Sequence, residues 1–439
     1  MITFRCISKG RLKGAVMYGA VALTAACSSG HTSPRYIGEM ASQSRPEALA
    51  PQSGGACANA DVITAKLEAA QRRGHVAGFA VGIVSADALD YLNAFGTADR
   101  ETGVQYTTAT IQNVASISKT VLGVALIKAQ EEEKLDLDDP VNKYLSFRVT
   151  NPSHPTVPIT IRQLATHSST IQDTDVYALQ SYVLAYPQTV DPRVGEIFGD
   201  SGQFLAQGAE VSLPVFLENS LSADGQWVRA DSYSDLIPGT RFHYSNVGAA
   251  LAAFIIERAT GETYSDFTRT RIFEPLAMTD TSWSFNDRNR AAHARLYLGP
   301  HVPLPTYTLV TYPDGGLRTN ASDLAKFLQE LIRGSAGRGK VLSDPSYKEL
   351  FSPFYPRLPA TTDVADPFEE RNAGVFIRHT PGGFLGHTGA DPGVRSAMFF
   401  DAEDQTGWLV LMNTMPLSAE EEATAEEIWH IVTRCARFD

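Results

Sequence analysis

Apolar positions along the chain change period several times, and each change marks an element. NADVITAKLEAAQRRG, from residue 59, carries apolar residues at helical spacing and predicts a helix. GFAVGIV and the following DYLNAFG predict two strands joined by a short turn. Near the other end GGFLGHTG, VRSAMFF and TGWLVLMN are three more strand patterns. Ser418 and Glu421 then form a capping box that opens a last helix. In it Ala425, Ile428, Val432 and Cys435 share one face, so Cys435 points inward. Strands at both ends around a helix-rich middle predict an α/β chain of the α+β type. Its antiparallel sheet is built from both chain ends and flanked by helices, and the middle forms a second lobe across a cleft. The boundaries fall at a domain of residues 56–439, with a sheet lobe at 56–110 and 310–439 and a helical lobe at 111–309.

The start of the chain follows other rules. Arg5, Lys9, Arg11 and Lys13 precede GAVMYGAVALTAA, an uncharged run too short to span a bilayer, so residues 1–26 read as an export signal. LTAAC then leads small residues into Cys27 and resembles the site at which bacterial lipoproteins are cleaved and lipidated, although a threonine stands three places before the cysteine. The expectation is a lipoprotein anchored through Cys27 and facing the periplasm or exterior; plain secretion is the alternative. Residues 27–55, rich in Ser, Pro and Gly without an apolar period, read as a tether.

Composition narrows the class. Of 439 residues 43% are apolar and 20% charged, as in a water-soluble globule. Cleavage after residue 26 leaves 33 Lys and Arg against 49 Asp and Glu, a net charge of −16, which excludes a nucleic-acid partner on electrostatic grounds. Cys6 leaves with the signal, so Cys57 and Cys435 remain near the two ends of the domain. An oxidising compartment permits a disulfide between them, which is the expectation; two separate thiols are the alternative that spacing alone leaves open. The ten histidines show no HExxH or paired Cys/His spacing, so no metal and no cofactor are called for.

The candidate chemistry begins at NVASISKT, where Ser116 stands three residues before Lys119 at the start of a helical pattern. That spacing puts both side chains on one face within hydrogen-bonding reach. A helix N-terminus also favours an oxyanion. Alone, SxxK is a common tetrapeptide. IPGTRFHYSNVGAAL adds Tyr244 and Asn246 on a polar step, and GFLGHTGADPG adds His387, Thr388 and Gly389 on a glycine-rich strand. GDSGQ, at residues 199–203, lacks the strand pattern that would make it a protease serine motif.

SISK, YSN and HTG, in this order and within the flanks KLDLDDPVNKYL, PGTRFHYSN, PDGGLRTNASDLAKF and GHTGADPGVRSAMFFD, resemble the serine β-lactamase and penicillin-binding protein superfamily. The resemblance points to the branch of class C β-lactamases, D-alanyl-D-alanine peptidases and related esterases, and covers nearly the whole domain. It implies a β-lactamase-like fold and an acyl-enzyme on Ser116, with Lys119 its partner and Tyr244 a proton shuttle. Asn246 would orient the lysine. The backbone N–H groups of Ser116 and Ala390 would form the oxyanion hole.

HTG stands where many relatives carry KTG, which implies weak or pH-dependent recognition of a substrate carboxylate through His387. The expected substrates are small esters or D-amino-acid peptides, as for an esterase or a D-alanyl-D-alanine carboxypeptidase. A class C-like β-lactamase and a weakly catalytic penicillin-binding sensor or scaffold are the alternatives. One departure stands out: LATHSSTI has Thr170 where relatives carry glycine, so the backbone is expected to take another path there.

Overall fold

The computed structural model describes residues 60–199, 204–285, 290–354 and 372–436. The signal, the tether, Cys27, Cys57 and most of GDSGQ lie outside them. Cys435, buried on the inner face of the last helix, is disulfide-bonded; Cys57, its expected partner, is not among the described residues.

The two ends of the chain meet in one antiparallel sheet. Its strands are β1 (Gly78–Ser85), β2 (Leu89–Asp99), β3 (Val104–Gln105), β4 (Asn372–Ala373), β5 (Arg378–His379), β6 (Leu385–Asp391), β7 (Val394–Asp401) and β8 (Thr406–Met412). They lie in the order β4-β5-β6-β7-β8-β1-β2-β3. The seam between the chain ends is β1 on β8, in register from Phe79 opposite Met412 to Ser85 opposite Thr406.

Both faces of the central strands are covered, which is why β1 reads as an unbroken apolar run. Alternation still sorts its side chains. Phe79, Val81 and Ile83 enter a core with Trp408, Val410 and Phe399. That core is closed by α1 (Ala60–Gln71) and α5 (Ala419–Ala436). Ala80 and Val84 face the opposite way, into a larger core that also holds Leu409, Leu411 and Met398. The predicted capping box opens α5: the Glu421 N–H donates to Ser418 Oγ and the Ser418 N–H to Glu421 Oε2, each at 3.2 Å.

The larger core contains α2 (Ser118–Glu131), α3 (Asn246–Thr260) and α4 (Ala321–Ser335). Helix α2 is buried on every side through Ile127, the pattern of a central helix rather than an amphipathic one. Helix α3 begins where the Ser245 hydroxyl accepts the Gly248 N–H and stops at Gly261, whose φ of 75° ends it in the left-handed region. Each motif therefore sits at the start of a buried element or on a central strand. Among the described residues no helix is long and apolar enough to cross a membrane.

Candidate active site

Ser116 lies in a short helical turn, Ala115–Ile117, that runs directly into α2. The turn is held from several sides. Gln112–Asn113 pairs antiparallel with Arg318–Thr319, the Val114 N–H donates to Leu317 O, and Ser118 Oγ donates to Ala115 O while accepting the Leu317 N–H. Ala115 takes a φ of 48°, a conformation unfavourable for a residue with a side chain, immediately before the serine.

Against this turn runs β6, and Gly389 permits the approach. A Cβ there would stand 2.4 Å from Val114 O and 2.3 Å from Ser396 Oγ. That hydroxyl instead bridges the two segments by donating to Val114 O at 2.8 Å.

Two hydrogen bonds converge on Ser116 Oγ. Lys119 Nζ donates from 3.2 Å and the Tyr244 hydroxyl from 2.8 Å. Lys119 is fully buried. It also donates to Asn246 Oδ1 at 2.6 Å and to the backbone carbonyl of Asp314 at 2.7 Å, and its Nζ stands 4.9 Å from the centre of the Tyr244 ring. A fixed ammonium beside a phenol and a serine favours negative charge on either oxygen.

The YSN segment is anchored by a residue that the sequence did not single out. Asp173 accepts the N–H groups of Asn246 and Val247, at 2.8 and 3.0 Å, and the Ser245 hydroxyl at 2.9 Å. A carboxylate at the N-terminus of α3 thus fixes Tyr244 and Asn246. His167 is buried under Tyr244 with ring centres 4.5 Å apart. Burial holds its pKa well below the usual imidazole range, so it is neutral, and its Nδ1 accepts the Ser245 N–H.

Two expectations are corrected. His387 is only 2% exposed; burial, with Arg378 and Lys119 nearby, holds it far below its usual pKa. Its Nδ1 engages the Thr388 carbonyl at 2.5 Å. A neutral imidazole beside Tyr244 agrees with the weak carboxylate recognition expected of it, and burial removes the pH-dependent alternative near neutral pH. Besides Lys119, a second nearby cation comes from the next strand. Arg378 on β5 stands opposite Gly386, and its Nη1 donates to the hydroxyl of Thr388.

The second correction concerns Thr170. Its backbone keeps a φ of 72° instead of finding another path. The side chain is buried and its hydroxyl accepts from Asn151 Nδ2 at 2.9 Å. A hydrogen bond and close packing therefore hold a β-branched residue where glycine would be relaxed.

Among the described residues no cluster of His, Cys, Asp and Glu is arranged to hold a metal. The site is that of a serine hydrolase. The Beta-lactamase family model matches residues 63–433, and the chain belongs to that family, within the serine β-lactamase and penicillin-binding protein superfamily. Protein flp of Staphylococcus aureus is 22% identical over 347 residues, 78% of this chain and 60% of that protein, so the chain spans less than two thirds of that relative's length. The octameric penicillin-binding protein homologue of Pyrococcus abyssi superposes with a TM-score of 0.63 at 26% identity, over 84% of this chain and 76% of that one. The β-lactamase/D-alanine carboxypeptidase of Yersinia pestis gives 0.62 at 17%, over 87% and 100%, a likeness of fold.

Proposed function

We propose that this hydrolase cleaves acyl-D-amino-acid peptides that end in a free carboxylate, in the manner of a D-alanyl-D-alanine carboxypeptidase, through an acyl-enzyme on Ser116. The observation that carries the reading is the pair of hydrogen bonds from Lys119 and Tyr244 onto the Ser116 oxygen. As Ser116 attacks the scissile carbonyl, its proton passes to the Lys119–Tyr244 pair in the form that has first given one proton to solvent, with Lys119 as the free amine or Tyr244 as the phenolate beside the ammonium. The oxyanion forms against the N–H groups of Ser116 and Ala390, and such a donor is typically worth about 10² to 10³ in rate. Tyr244, already bonded to Oγ, returns a proton to the leaving amine. Water then resolves the ester along the same path.

Arg378 on the Thr388 hydroxyl supports a carboxylate-terminated peptide over a neutral ester, because a guanidinium presents paired donors to a carboxylate. The name of the Yersinia relative agrees with that choice. The test compares an acyl-D-Ala-D-Ala peptide, a neutral activated ester and a cephalosporin on one preparation. The peptide should be cleaved. Ser116→Ala should abolish turnover of every substrate that is hydrolysed. Arg378→Gln should lower kcat/KM for the peptide at least about tenfold more than for the ester. Turnover confined to the cephalosporin, or equal losses on peptide and ester, would refute the substrate assignment.

We also propose that the enzyme is exported and tethered through lipid on Cys27, on the strength of the charged leader and LTAAC. Fractionation should find it with membranes and Cys27→Ala in the soluble fraction; wild-type protein in the soluble fraction would contradict this.

A further inference from the structure

Behind the catalytic lysine lies a buried acidic cluster that the acyl-transfer scheme leaves unused. Asp314, 1% exposed, belongs to the turn whose carbonyl holds Lys119 Nζ. Its Oδ1 accepts the Tyr177 hydroxyl at 2.9 Å. Asp391, 6% exposed, ends β6 one residue past Ala390, and its Oδ1 accepts the Tyr182 hydroxyl at 2.6 Å. Its Oδ2 lies 3.2 Å from where a Cβ on Gly315 would stand, so the second carboxylate packs against the residue that follows the first. Both tyrosines come from the segment that follows Ile171.

The groups facing this pair are few. Lys119 projects from α2, Thr311 lies beside Asp314, and Tyr177, Tyr182 and Tyr307 close the remaining sides. Burial first, then both carboxylates at Tyr177 and Tyr182 and Asp391 alone at Tyr307, hold the three phenols protonated, Asp173 adding to the effect on Tyr177 and Arg318 opposing it at Tyr307. The neutral His167 and His387 add no charge. Burial pushes Asp314 up to about 7 and Asp391 up to about 6, each against the pull of Lys119. The charge of Asp391 adds to the rise at Asp314.

We propose that Asp314 and Asp391 are positioning residues whose negative charge steadies the Lys119 ammonium in the acylation transition state, with Tyr177 and Tyr182 hydrogen-bonded to them from the segment after Ile171. The inference rests on the acyl-transfer reading above. If Lys119 takes the serine's proton, Nζ gains charge in the transition state. If Tyr244 takes it, Nζ must stay charged beside the phenolate. A nearby carboxylate helps in both cases, and its protonation removes the help. Activity should therefore fall on the acid side as the pair takes up a proton.

The experiment is the pH profile, from 5 to 9, of kcat and KM for a neutral activated ester, using the full chain. Asp314→Asn should lower kcat about tenfold at pH 8 and approach wild type at pH 5, where the wild-type acid is itself protonated, with KM little changed. Tyr177→Phe should move the acid limb to higher pH, because the phenol's hydrogen bond favours the ionised form of Asp314. A merely structural role would lower the rate by one factor at every pH. Profiles of Asp314→Asn and Asp391→Asn parallel to wild type would overturn the proposal. Should the Asn variants fail to fold, an unmoved limb in Tyr177→Phe would do the same. Turnover surviving in Ser116→Ala would sink the acyl-transfer reading itself, whereas an inactive Ser116→Ala with parallel profiles would sink only this inference.

Discussion

Asp173 shows how one side chain outside the motifs can govern them. It satisfies two N–H groups at the start of α3 and the hydroxyl between Tyr244 and Asn246, so the positions of phenol and amide follow from its own. The charge also meets the positive end of the helix. Asp173→Ala should destabilise the fold by about 2–3 kcal/mol, from a lost cap and lost charge-assisted hydrogen bonds. It should also lower kcat/KM roughly 10- to 100-fold, since small displacements of an aligned nucleophile are expensive. Urea unfolding and ester kinetics on the same preparation check both numbers. Activity within twofold of wild type would mean that Tyr244 is held by its packing on His167 instead.

At the scale of elements, legibility followed burial geometry. The strand patterns at 78–84, 90–96, 394–400 and 406–413 match β1, β2, β7 and β8 to within a few residues, because β1, β7 and β8 are long and covered on both faces and leave apolar runs between turns, while the half-exposed β2 still buries Tyr91 and Phe95. SISK, YSN and HTG were equally legible, since each lies at the start of a buried helix or on a central strand. The edge strand β4 and its neighbour β5 are two residues each, too short to show a period, and with them Arg378 went unseen. In the segment after Ile171 the three-residue strand Tyr182–Leu184 pairs with Tyr307–Leu309, more than a hundred residues away. No local pattern records that pairing. Asp173, Asp314 and Asp391 sit in polar, turn-like text, and nothing in an acidic residue's neighbours along the chain tells that tertiary packing will close over it. PDGG and GADPG offered a partial signal, an acid beside glycines that allow close backbone approach.

For the molecule as a whole, the buried site groups act on stability in opposite directions, and pH separates them. His167 and His387 are neutral in the fold but protonate in the unfolded chain below about 6.5, and His293 is lowered to about 3 by burial. The unfolded state therefore binds more protons on the acid side, and these groups make stability rise with pH until about 6.5. Asp314 and Asp391 do the reverse. Their folded values, about 7 and about 6, lie above the unfolded 3.8, so their contribution is fully present below 3.8 and is lost as pH rises through the folded values. Asp314→Asn removes one of the two opposing acids and leaves the histidines alone. Its melting temperature relative to wild type should climb between about pH 4 and 7 and level off above, while ester turnover at pH 8 falls. A charge kept at the expense of stability is what a site built for function implies. Scanning calorimetry of both proteins across that range decides the matter: a difference that stays flat, or shrinks as pH rises, would show that Asp314 is already ionised without penalty in the fold.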